Sequence, residues 1–225
     1  MPQRREIALI VGPQNRTMRR LSFLVVWMVA ILSGVLAASA TAMTLEVQGN
    51  AVFATGPVVD DLARFEQALA TPGVDTVVFV NSPGGDLWTG LRVGRLIAKR
   101  GLRTVIAGNC LSACSIMFMG GRERRFADAF PPNLTFIGLH GAHQTDTGRL
   151  DPELQPQIYA FYRERMGSSF NAAVVNKALY EMGDSGAMLE VHGSFGVIVM
   201  HRQNGRTFRK RRLEGRCREL LPCTR

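Results

Sequence analysis

The residues of this sequence that could do chemistry gather around Gly108-Asn109-Cys110-Leu111-Ser112-Ala113-Cys114-Ser115. Arg103 to Ala107, just upstream, has the character of a short buried strand. Gly108 and Asn109 tolerate the backbone angles of a tight turn. Ser112 to Gly120 is a run of small residues and methionines that predicts a helix. Ser112 therefore falls at a strand-to-helix turn, where the first helical N–H groups lack partners and negative charge is favoured. A serine nucleophile suits that place, because its attack on a carbonyl creates an oxyanion that needs donors. Ser115, one helical turn on, more naturally packs or bonds locally.

A second stretch repeats the pattern. Asp75 to Val80 is a continuous β-rich run, as in a strand buried on both faces. Asn81-Ser82-Pro83-Gly84-Gly85 interrupts it, and Leu87 to Lys99 continues as a helix. Paired glycines let a backbone N–H come close to a substrate carbonyl, although such residues also make ordinary turns. Downstream, Leu134 to Leu139 is a further strand with His140 at its end, where a side chain can face the crevice at the carboxyl edge of a sheet. His143 is the rival imidazole. Lys99 and Lys177 lie in no motif that would make a Ser-Lys pair.

These three elements, in this order, resemble the Clp-type serine peptidases of the ClpP/crotonase superfamily. The resemblance spans roughly Val74 to Gly141, with a looser helical match to about Glu181. It implies an α/β fold of repeated β-α-β units with a parallel sheet. It also implies Ser112 as nucleophile, His140 as general base, and the N–H groups of Gly85 and Ala113 as oxyanion-hole donors. The third member would be an acid beyond the helices. Asp184 is the best-placed candidate, with Asp146 and Glu190 as competitors. Past Gly186 the sequence departs from the family: Leu189-Glu-Val-His-Gly193 and a basic Cys-containing end replace its usual closing segments. Oligomerisation is implied by the resemblance alone, and no cofactor or metal is expected.

The elements that must position these residues follow from the pattern. Thr44–Val47 and Ala51–Ala54 predict a hairpin across Gly49-Asn50. Val58 to Ala70 has helical spacing at Val59, Leu62, Phe65 and Leu69, and Thr71-Pro-Gly73 ends it. Arg122 to Phe126 leads into a strand. Asp151 is an N-cap candidate, with Pro152 at the first position of a helix running to about Met166. A second helix covers Phe170–Met182, and Phe195–Met200 is the last strand. Met117, Phe118 and Met119 read as core. Gly183-Asp184-Ser185-Gly186 also reads as a plain turn.

Composition bounds the rest. The 225 residues carry a net charge of +9, concentrated at the ends. Residues 1–42 hold five Arg and one Glu, and residues 202–225 hold eight Arg, one Lys and two Glu. A near-neutral body between basic ends is not the pattern of a nucleic-acid-binding domain. The tail is either a solvated basic segment or a contact for phosphates or an anionic membrane. Leu21–Leu32 is apolar, preceded by Arg19-Arg20 and followed by Ala37-Ala-Ser-Ala-Thr-Ala42, the layout of a secretory signal. Residues 1–42 are thus read as a signal peptide or membrane anchor, 43–201 as the Clp-like domain and 202–225 as the tail. Export places the domain in the periplasm or facing it. Cys110, Cys114, Cys217 and Cys223 could then form disulfides, locally Cys110 with Cys114 and Cys217 with Cys223, or sit as small buried residues.

Three functions remain open. One is an exported, ATP-independent serine peptidase acting on peptides or unfolded protein. Another is a catalytically silent Clp-like binding or assembly module. The last is a crotonase-type acyl-thioester enzyme, ranked lowest because export argues against CoA.

Overall fold

The computed structural model describes residues 42–213, apart from 129, 145, 182–186, 194–195 and 204–205, with side chains described to Gly193. The signal-like segment, Asp184, Cys217 and Cys223 lie outside the described residues. The described chain is mixed α/β, with nine strands in one sheet. β1 (Thr44–Gln48) and β2 (Ala51–Thr55) form the expected hairpin. β3 (Thr76–Ser82) and β4 (Arg103–Leu111) follow in parallel. β5 (Arg124–Phe126) and then β6 (Phe136–Leu139) pair with successive halves of β4, also in parallel. β7 (Ala187–His192), β8 (Gly196–Gln203) and β9 (Arg206–Leu213) extend the sheet antiparallel.

The parallel sheet expected from the sequence is therefore its middle, and both flanks are antiparallel. β7 lies in the stretch where the sequence leaves the family pattern. Its Leu-Glu-Val-His alternation is that of a strand, and β6 supplies the partner. β9 lies within the stretch read as a basic tail, so the sheet continues to Leu213.

Helix α1 (Leu62–Leu69) is shorter than its periodicity suggested. Val58 is taken up instead by a parallel bridge to Gly85. Helix α2 (Leu87–Lys99) starts at Asp86, whose Oδ1 accepts the Thr89 N–H at 2.6 Å, satisfying one orphan donor of the first turn. Helix α3 (Ala113–Met119) is wholly buried. Helix α4 (Gln155–Met166) begins about one turn later than predicted. Asp151 Oδ1 accepts the N–H groups of Glu153 and Leu154 at 2.9 and 3.2 Å, the bonds an N-cap side chain makes, across the turn that leads into it. α5 (Ala172–Asn176) runs into a π-helical turn over Lys177–Glu181.

Alternate residues of β3 and β4, among them Val77, Phe79, Ile106 and Cys110, are fully buried. They share one core with Phe65, Leu91, Ile97, Met117, Phe118 and Phe161 of the helices. Three backbone carbonyls at the far end of α3 and in α4, those of Met119, Gly121 and Arg165, accept from the buried Arg124 guanidinium. A cation on terminal carbonyls favours a helix end, so both ends of α3 are fixed by neighbours.

Candidate functional site

The end of β4 is set by a bulge. Val80 pairs with Ala107, but Ser82 pairs with Cys110, so β4 spends one residue more than β3 over this step. The extra length falls at Gly108 and Asn109, with Gly108 at φ 91°. Sequence reading made these two a turn; the strand instead passes through them and continues to Leu111. Asn81, itself at φ 47°, turns its Oδ1 to the Asn109 N–H at 3.2 Å and supplies the acceptor beside the bulge. Bulges redirect a strand and are common beside functional sites.

Ser112 follows at φ 54° and ψ −122°, a region that L-residues occupy only under constraint. Its N–H donates to the Gly138 carbonyl at 2.8 Å, which ties the turn to β6. It stands at the N-cap of α3, yet its side chain makes no capping bond, so the hydroxyl is not consumed by the helix. A disulfide joins Cys110 to Cys114 with Cα atoms 5.2 Å apart, spanning Ser112 from strand to helix.

Gly84 lies against this turn. A Cβ built on it would clash with the Leu111 carbonyl oxygen, approach Ser112 Cβ to 2.6 Å and the Ala113 nitrogen to 3.1 Å. The direction of the Gly85 N–H follows from peptide planarity. The Gly84 carbonyl accepts the Val58 N–H at 2.8 Å, on the β2 side of β3. The trans peptide therefore aims the Gly85 N–H the other way, toward the β4 side where Ser112 lies. The Ala113 N–H belongs to the first helical residue, which has no partner within the helix.

His140 comes from β6. Leu111 pairs with Gly138, so Ser112 and His140 leave neighbouring strands at the same edge of the sheet. His140 Nδ1 is 2.6 Å from the Gly141 carbonyl oxygen. A carbonyl only accepts, so Nδ1 carries the proton and Nε2 keeps its lone pair. Burial lowers the His140 pKa, and nearby His143, with its ring centre 5.5 Å away, lowers it further against the opposing effect of the Gly141 carbonyl. The lowering favours the neutral imidazole, the form a general base needs.

The two competing acids stand on different elements. Asp146 is exposed and accepts from the Thr147 N–H at 2.9 Å. Glu190 is buried on β7, opposite Gly138, with its Oε2 3.4 Å from His192 Nε2. Lys177 pairs with Glu181 at 3.0 Å on the surface.

No family model matches this chain, and no curated protein matches its sequence. Solved structures align with part of the chain. A mutant of the 1510-N membrane-bound stomatin-specific protease aligns at 15% identity and TM-score 0.41, covering 58% of this chain and 68% of that one. A second mutant of that protease, in complex with a substrate peptide, aligns at 13% identity and TM-score 0.41, over 58% of this chain and 64% of its own. A ClpP1 mutant from Listeria monocytogenes aligns at 18% identity and TM-score 0.45, over 57% of this chain and 78% of its own.

Sequence reading missed three contributors. Asn81 and Gly84 stood in the quoted turn, but the bulge that gives Asn81 its bond leaves no mark in composition. Tyr162 lies 50 positions past Ser112 on α4, and only the fold brings its hydroxyl to 3.1 Å from Ser115 Oγ.

Gly84→Ala is expected to remove any reactivity of Ser112 while costing about 1–3 kcal/mol of stability, an ordinary overpacking penalty. The new methyl meets backbone at Leu111, and at φ 84° alanine is strained in addition. Urea melts and probe labelling of the same samples check both parts. A variant that labels at the wild-type rate would contradict the expectation.

Proposed function

We propose that the chain is an exported, ATP-independent serine peptidase, with Ser112 as nucleophile, His140 as general base and the Gly85 and Ala113 N–H groups as oxyanion donors. The observation that carries this reading is the register of Leu111 with Gly138, by which the strained, uncapped Ser112 and His140 leave neighbouring strands at one end of the sheet, with Gly84 packed against the Ser112 turn. In the reaction, Ser112 Oγ attacks the scissile carbonyl carbon as His140 Nε2 takes its proton. The oxyanion is held by the two N–H groups, the C–N bond breaks, and His140 returns the proton to the leaving amine. Water then hydrolyses the acyl-enzyme by the same proton path. Asp184 is the proposed orienting acid; among the described residues the Gly141 carbonyl holds Nδ1.

The substrates proposed are peptides or unfolded chains, since an exported enzyme has no ATP to unfold folded ones. The Cys110–Cys114 disulfide suits an oxidising compartment, in line with the signal-like leader. That leader is the proposed route to membrane association. A second reading, a silent binding module, is favoured by one observation: among the described residues the His140 Nδ1 is 2.6 Å from a backbone carbonyl, that of Gly141.

The deciding experiment is fluorophosphonate labelling of the purified full chain, with the adduct mapped by mass spectrometry. An adduct on Ser112 is expected. Folded protein that takes no label would favour the silent module, and an adduct on Ser115 would move the nucleophile by one helical turn.

A further inference from the structure

A buried hydroxyl pair lies behind Ser112 and takes no part in the mechanism above. Ser115 is fully buried and Tyr162, on α4, is 3% exposed. Ser115 Oγ is 2.6 Å from the Ser112 carbonyl oxygen and 3.1 Å from the Tyr162 hydroxyl. The carbonyl can only accept, so the single Ser115 proton is spent there, and Tyr162 must donate to Ser115. Burial keeps the Tyr162 phenol protonated and therefore able to donate.

The carbonyl that this relay grips is half of one planar unit. The other half is the Ala113 N–H, which points opposite to it across a trans peptide. The regular helical bond to that carbonyl, from the Ile116 N–H, is long at 3.4 Å. The carbonyl is held chiefly by Ser115, through its N–H at 2.9 Å and its Oγ. We propose that Ser115 and Tyr162 are positioning residues that fix the Ser112–Ala113 peptide and so aim the Ala113 N–H as an oxyanion donor. The proposal rests on the peptidase reading for what that N–H does, and on hydrogen bonds alone for what holds it. It also makes α4 part of the site, because Tyr162 is its contribution.

The test uses the full chain and the variants Ser115→Ala and Tyr162→Phe, each of which removes a hydroxyl with little change of shape. Two readouts are taken on folded protein. One is the saturation kinetics of fluorophosphonate labelling. The other is the residual dipolar coupling of the Ala113 N–H, with the Phe118 N–H as an internal reference for α3. The expected result is a labelling rate constant lowered about 10- to 100-fold in Ser115→Ala and less in Tyr162→Phe, with half-saturation unchanged. The Ala113 coupling should change while that of Phe118 does not. Wild-type rates in both variants would overturn the proposal and leave the peptidase reading standing. An unchanged Ala113 coupling would overturn it whatever the rates. If the wild type itself takes no label, the peptidase reading falls, and the oxyanion role of the Ala113 N–H falls with it.

Discussion

Ser112→Gly is expected to make the protein more stable and inactive at once. Ser112 holds φ 54° and ψ −122° without being glycine. Such a conformation costs an L-residue of the order of 1–3 kcal/mol. Glycine adopts it freely, though it loses about 0.5–1 kcal/mol through the entropy of the unfolded chain. The net expectation is a gain of about 1 kcal/mol, readable as a raised urea midpoint with an unchanged slope. Ser112→Ala keeps the strain, so its midpoint should stay near that of the wild type. On the proposed peptidase reading both variants lack the nucleophile, and turnover should fall by about 10^4- to 10^6-fold. Opposite signs for stability and activity at one residue are what a strained functional turn produces. If Ser112→Gly is less stable than Ser112→Ala, the turn is not storing strain.

His140→Ala should lower the labelling rate of Ser112 by about 10^4-fold, since an unassisted hydroxyl is a poor nucleophile near neutral pH. The wild-type rate should rise with pH along a limb centred below about 6.5, the ordinary histidine value. The reason is that burial, and then His143, lower the His140 pKa, so the neutral base is already present in mildly acidic solution. The same shift sets a stability trend. Below about pH 6.5 the unfolded chain binds a proton that the folded one resists, so stability falls as pH falls toward the lower folded-state pKa. His140→Gln should flatten that part of the stability curve and remove the limb of the rate profile. A limb centred above 6.5 in the wild type would mean that the imidazole is paired with an anion, which would fit an acid at Asp184.

The α/β class was legible because it depends on local pattern. β3, α2 and β4 follow from a β-rich run, an amphipathic run and another β-rich run, each closed by glycine or a capping residue. The buried character of Met117, Phe118 and Met119 follows from their apolarity alone. Placing Ser112 and His140 at element ends was equally local.

What joins them is not. The pairing of Leu111 with Gly138 is a choice of register between strands far apart in sequence. The same residues could satisfy their hydrogen bonds in other alignments, and only the packing of the whole sheet selects this one. The β4 bulge, read from sequence as a turn at Gly108-Asn109, is likewise decided by the neighbouring strand and by the Asn81 side chain. Local pattern also overran the start of α1, where Val58 found a better partner in the Gly85 backbone than in its own helix.

The four cysteines allowed several pairings, and proximity across the Ser112 turn joined two of them. The basic composition of residues 206–213 suggested a solvated tail, yet strand pairing is a property of backbone and partner, so β9 forms there. The sequence by itself determined which residues could act and on which elements they stand. The tertiary structure decided which hydroxyl, imidazole and N–H groups share one sheet edge, because the bonds that bring them there are made between segments that local propensity cannot see.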